Sequence, residues 1–218
     1  MSKALVHFER LIGDVDNLIA HHPKSGSPLA GRPATDEGPL LRSCVVLTYG
    51  AWEVYFEDSL VEAAQTLAEG DRGDLPAATV AWVRAETADS WALADDGWRK
   101  QLVKLVDHTM HGDPDDPQSF GVNTASPKTV STWTWTILGW RTLEHCGWKN
   151  ATNRTIKAKL DRLVTLRGDI AHGGRPDRLA LANVRDYRDF TERLARAYDA
   201  ELFSFVASTR STLASLEA

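Results

Sequence analysis

Arg167 and His172 are the two residues of this chain whose types and spacing most directly suggest chemistry. In the stretch from Thr155 to His172, the apolar residues Ile156, Leu160, Leu163 and Val164 recur at helical spacing, with Ile170 and Ala171 continuing the stripe. With Ile156 at the origin of the helical wheel, Arg167 falls at about 20°, inside the apolar stripe. A guanidinium does not deprotonate to escape burial, so this position demands a carboxylate, a phosphate or an opening to solvent. His172 follows five residues later at the expected end of the helix, just before Gly173 and Gly174. The negative end of the helix dipole favours an imidazolium there. An arginine for phosphate charge and a histidine for proton transfer form a minimal toolkit for cleaving a phosphodiester. Each also has a plainer reading: Arg167 as half of an ion pair joining two helices, and His172 as a cap on the last carbonyls.

Glu53 is the carboxylate that could answer Arg167. The spacing of Leu41, Val45, Tyr49, Trp52, Phe56 and Leu60 predicts a helix from about Leu40 to Ala68. Glu53 lies about 120° from Leu41, at the margin of the apolar face rather than opposite it. An acid placed there either snorkels to solvent or points into a site.

The other elements follow from the same periodicity. Met1 to His22 reads as a helix, and Pro23 to Pro39 as a loop. Between Asp71 and Lys128 the pattern is less regular, with helical stretches at Thr79–Ala94 and Gly97–His111 and a turn-rich His111–Pro117. Ser126-Pro127 predicts a helix start. Thr129 to Cys146 reads as a helix, although its Trp-Thr-Trp-Thr alternation also admits a strand. Asp177 to about Leu213 predicts a long final helix with a possible break near Ala207. The expected architecture is an all-α, single-domain helical bundle.

Composition narrows the function classes. The chain has 218 residues, 43% hydrophobic and 25% charged, with 25 Lys and Arg against 30 Asp and Glu. This is ordinary for a folded globular protein. No run approaches the length of a membrane span, and the N-terminus lacks a secretion pattern, so a cytoplasmic location is expected. Cys44 and Cys146 suit free thiols. No Walker loop, dinucleotide fingerprint, nucleophile elbow or Cys-x-x-Cys motif is present. His108, His111 and the aspartates Asp113, Asp115 and Asp116 read as solvated turn rather than metal site, and neither metal nor cofactor is expected.

Charge is unevenly spread. The segment Arg141 to Arg175 carries eight basic residues against three acids on a chain whose net charge is −5. Such a patch is the footprint of a polyanion partner or simply a solvated helix face. Arg141, Lys149, Arg154, Lys157, Arg162 and Arg175 are the candidate nucleic-acid contacts within it. The eight tryptophans, Trp52, Trp82, Trp91, Trp98, Trp133, Trp135, Trp140 and Trp148, fit either a core and dimer seam or a base-stacking surface.

The run Leu163-Val-Thr-Leu-Arg167-Gly-Asp-Ile-Ala-His172-Gly resembles the Arg-x(4–6)-His signature of HEPN domains, and its Ile-Ala-His-Gly context resembles the RiboL-PSP-HEPN branch. Leu47-Thr-Tyr-Gly-Ala-Trp-Glu53-Val-Tyr-Phe is similar to that branch's second, acid-bearing helix. The resemblance implies a metal-independent endoribonuclease that dimerises, so that two Arg–His motifs line one cleft. It implies that His172 acts as general acid or base, Arg167 stabilises transition-state charge, and Glu53 orients one of them. The products would be a 2′,3′-cyclic phosphate and a 5′-hydroxyl, in a toxin, defence or RNA-processing setting with an antitoxin or other regulatory partner. The chain departs from the pattern at Gly168, where many members carry a polar residue. Asp169 is the nearest substitute, although it lies near 220° on the wheel. A silent HEPN-type module that binds RNA, a nucleotide or a protein is the alternative. A helical antitoxin or adaptor unrelated to RNA is the third possibility.

Overall fold

The computed structural model describes residues 1–23, 37–176 and 179–211. Among them are eight α-helices and no strand, an all-α fold. They are α1 (Lys3–Ala20), α2 (Gly38–Ala68), α3 (Ala77–Glu86), α4 (Gly97–His111), α5 (Pro127–Leu138), α6 (Thr142–His145), α7 (Asn153–Ala171) and α8 (Leu181–Ser211). None of these helices is long and apolar enough to cross a membrane.

The fold is organised around α2. A surface helix buries one stripe, but α2 buries residues on every side, from Leu41 and Cys44 through Tyr49, Trp52, Tyr55 and Phe56 to Ala64 and Leu67. It packs against α1, α4, α7 and α8. Phe8 of α1 and Tyr198 of α8 meet Tyr55 edge-on at centroid distances of 5.6 and 6.2 Å. Trp52 also meets Tyr198 edge-on, at 5.8 Å, and donates its indole N–H to the Ala125 carbonyl at 2.9 Å. That bond ties the approach to α5 onto the central helix. Buried Asp199 accepts from the Ser2 hydroxyl and, at 3.4 Å, from Tyr55, so α1, α2 and α8 share one polar anchor.

Local signals account for most helix ends. Ser2, Ser126 and Thr152 cap α1, α5 and α7 by accepting a backbone N–H with their side-chain oxygens. Pro127 occupies the first turn of α5. Gly173, at φ +85°, follows α7 in a conformation that L side chains rarely adopt.

Four expectations need correction. The helix read across Thr129–Cys146 is two helices, because Gly139 turns left-handed at φ +67° and closes α5 before α6 begins. The stretch Thr79–Ala94 is likewise divided: α3 stops at Glu86, and a short 3-10 turn covers Ser90–Leu93. The final helix begins at Leu181, after the non-helical Leu179 and Ala180, and runs without a break at Ala207. Lastly, the apolar stripe of α7 is buried only at Ile156, Leu160 and Leu163, whereas Ile170 is half-buried and Ala171 exposed. The C-terminal third of α7 therefore lies at the edge of the core, with Leu166 and Ile170 still packed against it. Residues 24–36 of the expected loop, and Asp177 with the last residues from 212, lie outside the described residues.

Both cysteines are buried free thiols. Of the tryptophans, Trp52, Trp82 and Trp98 are buried, Trp133, Trp140 and Trp148 half-buried, and Trp91 and Trp135 exposed. The core reading thus holds for three rings outright and leaves surface rings in three different parts of the chain.

Leu160 tests the anchoring of α7. It is fully buried, so Leu160→Ala removes apolar contact and leaves a cavity, an expected loss of about 2–5 kcal/mol in urea unfolding. A loss under about 1 kcal/mol would contradict the placement of this face in the main core.

Candidate functional site

At the edge of the core α7 packs against α2, and the two helices bring Arg167 to Glu53. The nearest Arg167 nitrogen stands 3.7 Å from Glu53 Oε2, and the guanidinium carbon lies 5.1 Å from the centre of the Tyr49 ring. Tyr49 and Glu53 are one turn apart on α2, and the Tyr49 hydroxyl donates to Glu53 Oε1 at 3.2 Å. One carboxylate oxygen thus holds the phenol while the other faces the cation. The Glu53 side chain is 15% exposed and that of Arg167 is 34% exposed. The arginine is paired without being sealed from solvent, and at 3.7 Å the contact is an ion pair rather than a close hydrogen bond.

Burial sets the electrostatics here. Desolvation raises the Glu53 carboxyl above its ordinary range, while the Arg167 charge and the Tyr49 hydroxyl pull it back. Desolvation, reinforced by the Glu53 charge, pushes the Tyr49 phenol well above its ordinary value, so it stays a donor. The result is a cation with one anionic partner and one aromatic face, and with guanidinium donors left over for an incoming anion.

His172 is the C-cap of α7. Its backbone N–H points back to the Gly168 and Ile170 carbonyls, leaving the ring exposed with no hydrogen bond or ion pair among the described residues. It is five residues, about 7.5 Å of helix rise, beyond Arg167. Glu53 faces Arg167, so of the two orienting roles open to it, the ion-pair geometry favours the arginine. Asp169 is exposed, and its backbone carbonyl accepts from Gly174 at 2.8 Å, closing the turn after the helix.

The basic candidates separate into different environments. Lys149 and Arg162 line one groove between α7 and α8. Lys157 is ion-paired with Glu144. Arg141 lies over the exposed Trp135 ring at 4.9 Å. Arg154 and Arg175 are exposed. Tyr49, read from sequence only as a core residue, belongs to the Arg167 site; its i, i+4 relation to Glu53 was the available signal. Lys159, Arg193 and Trp148 join Lys149 and Arg162 in the groove, and no sequence spacing links Arg193 of α8 to α7.

A second polar cluster lies one turn further along α2. Asp58 pairs with His7 Nδ1 at 2.9 Å and His111 Nε2 at 3.5 Å, and His111 Nδ1 meets Asp107 at 2.8 Å. His108 turns to Asp113 at 3.1 Å. Among the described residues no three His, Cys, Asp or Glu side chains gather as a metal site. Asp58, and then Asp107, lift His111 to about 9, and the His111 contact holds Asp58 below its ordinary range. Burial, aided by the Glu53 and Asp58 charges, raises Glu57 to about 7.

Gly168 occupies a helix interior where an added Cβ would meet nothing within 4 Å. Gly168→Ala is therefore expected to stabilise the protein by about 0.5–1 kcal/mol in urea unfolding. A loss of stability would show that this turn needs glycine's freedom.

The Asp58 cluster gives stability a pH slope. Folded His111 keeps its proton to about 9 against an ordinary 6.5, so its contribution is complete below 6.5 and disappears as pH rises through about 9. Glu57 has the same sign: its contribution, complete below 4.5, is lost as pH rises through about 7. Asp58 acts oppositely, losing its contribution only in acid below its ordinary 3.8. Unfolding free energy should fall from pH 6 to pH 9.5, and His111→Gln should flatten the upper half of that decline. Equal stability of the wild type at both pH values would refute the assignment.

Comparison with known proteins adds one match: residues 133–203, from within α5 to α8, fit the family model RiboL-PSP-HEPN. The matched segment contains Arg167 and His172 but not Glu53. No curated protein and no solved structure matches the chain.

Proposed function

We propose, with the RiboL-PSP-HEPN match over residues 133–203 as premise, that this protein is a metal-independent endoribonuclease acting through Arg167 and His172. The observation that carries the reading is Arg167, held against Glu53 and Tyr49 yet one-third exposed, on the same helix that ends in an unengaged His172. A purely structural arginine in this seam would be expected to be closed off from solvent and held in close hydrogen bonds.

In this mechanism the 2′-hydroxyl of an unpaired nucleotide attacks the adjacent phosphorus. A bond forms from the 2′-oxygen, the bond to the leaving 5′-oxygen breaks, and the 2′ proton passes to a base while an acid protonates the leaving oxygen. His172 serves in one of these proton transfers and Arg167 stabilises the negative charge gathering on the phosphoryl oxygens. Glu53 acts as a positioning residue, keeping the guanidinium aimed without saturating its donors. Unpaired RNA is the substrate class, because a stacked duplex does not easily bring the 2′-oxygen into line.

A second copy of the chain supplies the complementary Arg–His pair. The surface around the site favours this: Leu47 of α2 is 46% exposed, Ala171 is exposed, and Gly50 and Gly168 both face open space. A cellular role in defence or RNA processing, under a restraining protein, follows from the activity rather than from any particular residue.

RNA cleavage in EDTA, comparing wild type with His172→Ala and Arg167→Ala at matched folding, tests the proposal. Both variants are expected to lose at least about 100-fold, with wild-type products ending in a cyclic phosphate. A wild type that binds RNA without cutting it would transfer the protein to the silent binding class, in which Gly168 marks the departure from the motif.

A further inference from the structure

The flank of α7 away from Arg167 carries a second candidate site. A groove of about 410 Å³ runs between α7 and the start of α8, closed at one end by the turn Trp148–Ala151. That turn is held by two backbone hydrogen bonds between Trp148 and Ala151, with Asn150 left-handed at φ +66°. It sets Trp148 and Lys149 side by side on the rim. Trp148 is half-buried, and its ring is tilted against buried Phe190 at 6.1 Å.

The charges in the groove are unevenly compensated. Asp186 is paired with Lys159 at 2.6 Å, whereas Asp189 only shares Arg188, at 3.2 Å, with Asp16 and Glu192. Lys149 and Arg193 are exposed and make no ion pair among the described residues, while Arg162 donates only to the Ala158 carbonyl of its own helix. Four basic residues of the lining, Lys149, Lys159, Arg162 and Arg193, stand against two aspartates, so the groove is left net positive for an outside anion, next to a partly open indole. An inorganic anion would use the cations and leave the ring idle, whereas an apolar ligand would use the ring and leave the cations unpaired. A nucleotide has both a planar face and a phosphate.

We infer that this groove is a subsite for one unpaired nucleotide of an RNA strand. The base lies on Trp148, the phosphate lies between Lys149, Arg193 and Arg162, and the Asp189 carboxylate accepts from the ribose 2′-hydroxyl. The inference rests on the ribonuclease reading for its choice of RNA and extends it by naming where substrate outside the cleavage site is held. Arg162 and Lys159 stand about 7.5 and 12 Å before Arg167 along the helix axis and on a different face, so one strand of several nucleotides passing around α7 reaches both sites. The subsite imposes a preference for unpaired RNA, since a base in a duplex cannot leave its stack for the ring without a cost.

Fluorescence anisotropy with a short labelled RNA, in a His172→Ala background so that the strand stays intact, reads binding separately from cleavage. The double variant Lys149→Ala/Arg193→Ala, whose two side chains are exposed, is expected to bind the unpaired RNA at least tenfold more weakly. Its salt dependence should also be shallower, by about 0.7 in log–log slope for each lost phosphate contact. Trp148→Leu should weaken unpaired RNA at least fivefold and leave duplex RNA unchanged. Unchanged affinity and salt slope in the double variant would overturn the site, as would a mononucleotide that binds as tightly as the strand. Groove-dependent binding without cleavage by the wild type would retire the nuclease reading and leave the subsite standing.

Discussion

A guanidinium keeps its charge wherever the fold puts it, and Arg167 is put on the inner side of a helix. The seam between α2 and α7 must therefore supply an anion, and it does so with Glu53, which pairs with Arg167 at 3.7 Å. Glu53 in turn needs a donor for its second oxygen and receives the Tyr49 hydroxyl. The ring of that same tyrosine then lies near the guanidinium. Three side chains on two helices thus satisfy one another in a chain, and because α2 is the most buried helix of the fold, that chain is anchored on the least movable element. The unsatisfied remainder, the outward guanidinium donors, is what is left for chemistry.

The same logic explains what the C-terminal third of α7 presents to solvent. Ile156, Leu160 and Leu163 fasten the first half of the helix into the core, and beyond Val164 the helix keeps only partly buried contacts with it, through Leu166 and Ile170. Arg167 sits at that edge, one-third exposed, and His172 sits beyond it with its ring exposed. Gly173 then reverses the chain at a positive φ, so that the histidine ends the helix instead of being covered by its continuation.

The basic surface resolves into separate local arrangements. Ion pairing consumes Lys157 and Lys159, stacking occupies Arg141, and the uncompensated cations collect where α7 and α8 diverge. A sum of charges over 141–175 treats all of these alike, although only those without a carboxylate neighbour retain their full attraction for a phosphate.

Periodicity, caps and glycines in the chain itself determined the all-α class, the long helices, the position of Arg167 within an apolar stripe and the helix stop after His172. These are local properties: a residue's place on its helix follows from spacing alone, and Ser126-Pro127 or Gly173 acts through neighbouring backbone. Gly139 shows the limit of such reading, because a glycine inside a helical pattern either continues or ends it, and here it closes α5 in the left-handed conformation. Only the tertiary structure decided that Glu53 meets Arg167, that Tyr49 completes the pair, and that Arg193 crosses from α8 to join Trp148 and Lys149. Those contacts join residues far apart in the chain. They depend on how helices pack and rotate against one another, and that is set by the whole core and not by any stretch of sequence.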